Sequence, residues 1–131
     1  MGKNMSYLFD TNILIYYFNG SLPSKAKNAI SEMLRKGFNI SVISKMEFLG
    51  FDRFGAKEKD LAAQFLAFAK VIPLNDVIVD KVIQIKQAGK IKLPDAIIGA
   101  TAFCSNLQLV THNCKDFTGI NIKLYDPFSN K

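Results

Sequence analysis

Apolar and polar positions along the chain switch repeatedly between two periods, one suited to strands and one to helices. Ser6-Tyr7-Leu8-Phe9 reads as a first strand, and Asn39-Ile40-Ser41-Val42-Ile43 as a second. Val71-Ile72-Pro73-Leu74 reads as a third, placed towards a sheet edge because Pro73 cannot donate to a ladder. Leu107 to Thr111 makes a fourth and Asn121 to Tyr125 a fifth. Between them the spacing lengthens. A helix is expected to begin at Thr11, and Ala26, Ala29, Ile30, Met33 and Leu34 form a helical stripe that Gly37 stops. Leu61, Ala62, Phe65, Phe68 and Ala69 mark another helix. Asp76 caps the next, which carries Val79, Val82 and Ile83 and ends near Gly89; Pro94 and Asp95 open the last.

Strands separated by helices imply right-handed crossovers and a mostly parallel sheet covered on both faces. The expected class is therefore α/β, a three-layer α/β/α domain around a central five-stranded, mostly parallel sheet. No repeat, low-complexity tract or linker interrupts residues 1–131, so a single domain is expected, with residues 1–5 flexible. Met1-Gly2-Lys3-Asn4-Met5-Ser6 formally fits a myristoylation pattern, but Met5 is preferred as a native start behind added residues. No signal peptide is visible.

Composition narrows the choice of function. Eleven Phe among 49% hydrophobic residues exclude disorder. The longest apolar run, Ala96 to Cys104, is far short of the roughly 18 residues of a membrane span. Seventeen basic against 11 acidic residues give +6, which makes nucleic acid the first partner to consider. Cys104, Cys114 and the lone His112 lack zinc-site spacing and read as reduced thiols and a loop histidine, in keeping with the cytoplasm. Phosphate-cradling glycine motifs are missing, which removes P-loop and dinucleotide readings.

With so few acids, each can be placed. In an open α/β sheet ligands gather at the carboxyl ends of the strands, at the topological switch point. Asp10 follows the first strand, Glu47 lies in the first turn of the helix after the second, Asp95 opens the last helix, and Asp116 follows the fourth strand. Asp76 and Asp126 also follow strands but read as a helix cap and a terminal turn, while Glu32, Asp52, Glu58, Asp60 and Asp80 read as solvated. Each member of the quartet also has an ordinary structural role open to it. Asp10 can cap a helix, Ser44-Lys45-Met46-Glu47 matches a capping box, Asp95 suits a helix N-terminus, and Asp116 can be a loop acid. If the four converge, two carboxylates at ~4 Å repel by about 4 kcal/mol at an effective dielectric of about 20. Such a cluster needs protons or cations, and an all-oxygen donor set selects Mg²⁺ or Mn²⁺.

Four segments together resemble the successive motifs of the PIN-domain nucleases, and among these the VapC-type toxins of bacterial toxin–antitoxin pairs. They are Tyr7–Ile15, Ser41–Phe48, Pro94–Ala102 and Leu109–Phe117, in order over nearly the whole chain. The resemblance implies a Mg²⁺- or Mn²⁺-dependent endoribonuclease in which Asp10, Glu47, Asp95 and Asp116 are catalytic and hold the metal. Asn113 stands where some relatives carry an acid, so Asp116 supplies the fourth charge alone. Thr11, Asn12, Thr111 and Asn113 would support the carboxylates or orient water. Metal-activated water would hydrolyse RNA to 5′-phosphate and 3′-hydroxyl ends. A cognate antitoxin and a homodimer are the implied protein partners, with no membrane. Lys45 and Arg53, expected on the Glu47 helix, and Lys90 and Lys92 before Asp95 are candidates for gripping the RNA backbone.

Two other readings compete. A PIN-like module that binds RNA or protein with little catalysis would keep the acids for stability, yet an idle cluster carries its repulsion without benefit. Phe9-Asp10-Thr11-Asn12 faintly resembles the strand-end motif of haloacid-dehalogenase-like phosphatases, but Asn12 stands where that chemistry needs an acid.

Overall fold

Leu8 and Phe9 are neighbours in sequence, both fully buried, and they belong to different cores. That alternation is what a strand buried on both faces must show. The computed structural model describes residues 6–129, so the expectation about residues 1–5 lies outside the described residues. In chain order the elements are β1 (Tyr7–Phe9), α1 (Thr11–Asn19), α2 (Ser24–Lys36), β2 (Phe38–Ser41), α3 (Val42–Leu49), α4 (Ala56–Leu66), β3 (Lys70–Ile72), α5 (Asp76–Ala88), α6 (Leu93–Ser105), β4 (Gln108–Val110) and β5 (Leu124–Tyr125). A single 3₁₀ turn, Cys114–Phe117, lies between the last two strands.

The strands form one sheet in the order β3-β2-β1-β4-β5, and each pairing is parallel. The chain runs outward from β1 through β2 to β3, then crosses back to place β4 on the other side of β1. β1 is thus the switch strand, and a crevice is expected beyond its carboxyl end. β3 is an edge strand, as the proline beside it predicts, and Pro73 falls just outside the ladder.

The two faces of the sheet are built from different materials. One carries α1–α4 residues packed around Phe9, Ile13, Leu14, Ile30, Ile40 and Phe48. Here Phe18, Phe48, Phe54 and Phe65 meet at ring-centroid distances of 5.2 to 5.9 Å. The other carries α5 and α6, packed through Ile78, Val82, Ile85, Ile98, Leu109 and Phe117 with small residues of α6. Gly99 of α6 faces the segment after β4, where a Cβ would press on the tip of the Ile120 side chain and touch the Phe117 ring.

Several local expectations are corrected. Val42 and Ile43 have strand propensity but form the first turn of α3, because Ser41 stops β2 and its Oγ accepts from Ile43 N at 3.2 Å. The capping box expected at Ser44 is therefore not formed. Ser44 is inside the helix and fully buried, and Glu47 stands in the second half of α3 rather than its first turn. Arg53 lies beyond the end of α3. The cap of α5 is Asn75, whose Oδ1 accepts from Ile78 N at 2.8 Å, and Asp76 is the first helical residue. The helix expected over Leu61–Ala69 runs over Ala56–Leu66.

Candidate active site

Asp10 stands where β1 becomes α1. Its backbone N–H donates to Val110 O at 2.9 Å, extending the β1–β4 ladder by one residue before the chain turns into the helix. Oδ1 accepts from Thr11 N at 2.7 Å, and Oδ2 accepts from Thr111 Oγ1 at 2.7 Å. Thr111 is itself anchored. Its backbone N–H donates to Tyr125 O at 2.9 Å, and its Oγ1 accepts from Asn113 N at 3.0 Å. Asp10 is only 5% exposed. Burial is the main reason its carboxyl is pushed up to about 6; Asp95 and Glu47 add to the rise, and the hydrogen bonds from Thr111 and Thr11 oppose it. The helix-cap role and the site role thus belong to the same side chain.

The other acids come from three further elements. Glu47 is exposed on α3, and Thr11 Oγ1 donates to its Oε1 at 2.6 Å. Buried Ser44 supports that arrangement from below, with its Oγ 3.0 Å from the same threonine hydroxyl. Asp95 is half-buried in the first turn of α6. Burial first, then Asp116 and Glu47, raise its carboxyl pKa, while Lys92 pulls it down. Asp116 is exposed on the 3₁₀ turn, which lies against α6.

All four acids line one cleft of about 560 Å³ at the carboxyl end of β1. Thr11, Asn12, Asn113 and Lys92 line it too, and Thr111 lies buried behind Asp10. Lys90 lines an adjoining cavity, whereas Lys45 and Arg53 line neither. Asp52 is exposed, as expected, but sequence reasoning missed that it lines the cleft, and missed Phe51, Lys115 and the supporting role of Ser44. The proximity of Asp52 to Glu47 along the chain was the available signal, obscured by the polar turn around it.

The donors offered to a ligand are carboxylate, hydroxyl and amide oxygens, a set suited to hard cations. Among the described residues no group of three acidic, histidine or cysteine side chains is placed to hold an ion by itself. Mg²⁺ does not demand such a group. It keeps several waters and takes one or two carboxylates plus substrate phosphate, so the residues fit it in that open manner.

The family model for the PIN domain matches residues 7–121, a span that contains all four acids. No curated protein matches the chain. Among solved structures, a chain of a toxin–antitoxin complex from Klebsiella pneumoniae is 35% identical with a TM-score of 0.76, over 95% of this chain and 99% of that one. VapBC-1 from nontypeable Haemophilus influenzae contains a chain of the same fold, 24% identical with a TM-score of 0.78, over 95% of this chain and 100% of that one. DNA-bound VapBC from Salmonella typhimurium supplies another, 20% identical with a TM-score of 0.79, over 94% and 98%.

Proposed function

The chain belongs to the PIN-domain family, and from that premise we propose that it is a nuclease of the VapC toxin type, a Mg²⁺- or Mn²⁺-dependent endoribonuclease. It acts in the cytoplasm as the toxin of a toxin–antitoxin pair, with an antitoxin and a second copy of itself as partners. The observation that carries this reading is the gathering of Asp10, Glu47, Asp95 and Asp116 around one cleft in a chain of net charge +6. The similar chain from Klebsiella pneumoniae comes from a toxin–antitoxin complex, which supports the partner. Among the described residues no helix is long and apolar enough to cross a membrane.

Asp10, Glu47, Asp95 and Asp116, which line the cleft together, would hold the ion. When bound, the ion supplies Lewis acidity, making a water acidic enough to attack near neutral pH and offsetting charge on the phosphate. The chain's own part is preorganisation. Thr111 and the Thr11 N–H hold both oxygens of Asp10, and the Thr11 hydroxyl holds Glu47, so the carboxylates need not be reoriented when substrate arrives. Water then displaces the 3′ oxygen at phosphorus, leaving a 5′-phosphate and a 3′-hydroxyl.

The deciding experiment is cleavage of RNA with Mg²⁺ or Mn²⁺, with and without EDTA, by the wild type and by Asp10→Asn. Metal-dependent cleavage lost in the variant is expected. Clean protein that cleaves no RNA tried, or a variant that cleaves normally, overturns the reading.

A further inference from the structure

Beside the acid cleft lies a second cavity, of about 330 Å³, lined by Lys90, Ile91, Lys92, Asp95, Lys115 and Asp116. It shares Lys92, Asp95 and Asp116 with the cleft, so the two adjoin along the Asp95–Asp116 side. Its lysines come from two separate segments. The loop carrying Lys90 and Lys92 is pinned by Lys86 Nζ, which donates to Ile91 O at 2.8 Å. Lys115 arrives on the 3₁₀ turn that lies against α6.

None of these lysines makes a close ion pair among the described residues, although Lys92 is near enough to Asp95 to lower its pKa. Among the described residues the ion pairs are Arg35–Glu32 and His112–Asp126, and neither involves Lys90, Lys92 or Lys115. Three ammonium groups against two carboxylates leave the cavity one net positive charge, the complement of a single phosphodiester. The part of the cleft that the two cavities do not share is different. Asp52, Phe51 and Ile15 line the cleft and not the second cavity, and Lys92 is the one basic residue lining the cleft. A polyanionic strand therefore meets cations in the second cavity and a further carboxylate in the unshared part of the cleft.

We propose that the Lys90–Lys92–Lys115 cavity binds one RNA phosphodiester flanking the scissile phosphate, on the Asp95–Asp116 side, and so sets the direction in which the strand crosses the cleft. This rests on the ribonuclease reading above and adds to it a defined subsite. Lys115, which sequence reasoning did not single out, is part of it; Lys45 and Arg53 are not.

The first test measures binding of a short, fluorescein-labelled single-stranded RNA of mixed sequence in EDTA, where metal-dependent cleavage is suppressed, across a salt series. Lys90→Gln/Lys115→Gln should flatten the dependence of log K on log salt by about 0.7, the effect of one single-strand phosphate contact. Lys45→Gln/Arg53→Gln should leave the slope unchanged. The second test places one neutral methylphosphonate at each position of a cleaved RNA in turn. One position beside the cut, on one side only, should lower kcat/KM by about tenfold in the wild type, or about 1.4 kcal/mol, and have little effect in the double variant. Cleavage by wild type with an unchanged slope and a symmetric methylphosphonate profile overturns the subsite and leaves the ribonuclease reading standing. Lysine variants that weaken only the hold on a partner protein assign the cavity to an acidic peptide and overturn the proposal. Wild-type protein that neither binds nor cleaves RNA removes both readings together.

Discussion

Asp10 and Asp116 face the same cleft from opposite surroundings. Asp10 is buried at the end of the switch strand, and both of its oxygens are held by protein donors. Asp116 sits exposed on a single 3₁₀ turn. The first is a charge the fold must accommodate at a cost, since burial pushes its carboxyl up to about 6. The second keeps its contact with water. Stability and activity therefore conflict at Asp10 and are nearly independent at Asp116, which is the trade-off expected where a functional carboxylate is withdrawn from water.

The largest effect that tests this contrast is loss of cleavage in Asp10→Asn, expected on the order of 10³-fold, or about 4 kcal/mol of transition-state stabilisation. The same variant should be more stable than the wild type in EDTA at pH 7. Asparagine can still accept from Thr11 N, while the buried charge is gone. The sign follows from linkage. The folded pKa of Asp10 lies above its unfolded value of 3.8, so its carboxyl penalises the folded state once pH rises through about 6 and carries no penalty below about 4. A shift of that size corresponds to at most about 3 kcal/mol. Urea unfolding of both proteins across this pH range measures it, and a stability difference independent of pH would contradict the burial argument.

Next in size is Thr111→Val, which keeps the shape but removes the hydroxyl between Asn113 N and Asp10. Unfolding should show a loss of about 1–3 kcal/mol, because a buried donor and acceptor are left short of partners. That bond also lowers the pKa of Asp10, so the acid limb of the cleavage profile should move to higher pH. An acid limb that stays in place would detach Asp10 from that limb. Thr11→Val frees Glu47 while leaving both hydrogen bonds to Asp10, so a fall of about 10-fold in kcat/KM is expected without that movement. Smallest on stability is Asp116→Asn, which should reduce cleavage yet change unfolding free energy by less than about 0.5 kcal/mol. A large destabilisation there would erase the distinction between the two carboxylates.

Much of this organisation is readable from local pattern. The alternation of strand and helix periods, the edge position announced by Pro73 and the placement of acids just past strand ends depend on a few neighbouring residues, and the fold keeps them. The structure departs from local pattern where two local signals compete. Val42 and Ile43 favour a strand, but the Ser41 hydroxyl satisfies an N–H of the next helix and ends β2 first. Ser44 and Glu47 have capping-box spacing, but the box requires Ser44 outside the helix, and it lies within.

Which acid is buried, which is clamped and which cations stand beside them could not be read from spacing. Thr111 meets Asp10 across 101 positions of chain, and Thr11 meets Glu47 across 36. Those contacts exist because parallel crossovers bring β4 and β2 to either side of β1. Periodicity in the chain determines which faces must be buried, since that depends only on residue type and the repeat of the backbone. The meeting of distant carboxylates and lysines is decided by how the elements pack, since their electrostatics depend on separations and burial that only the assembled sheet creates.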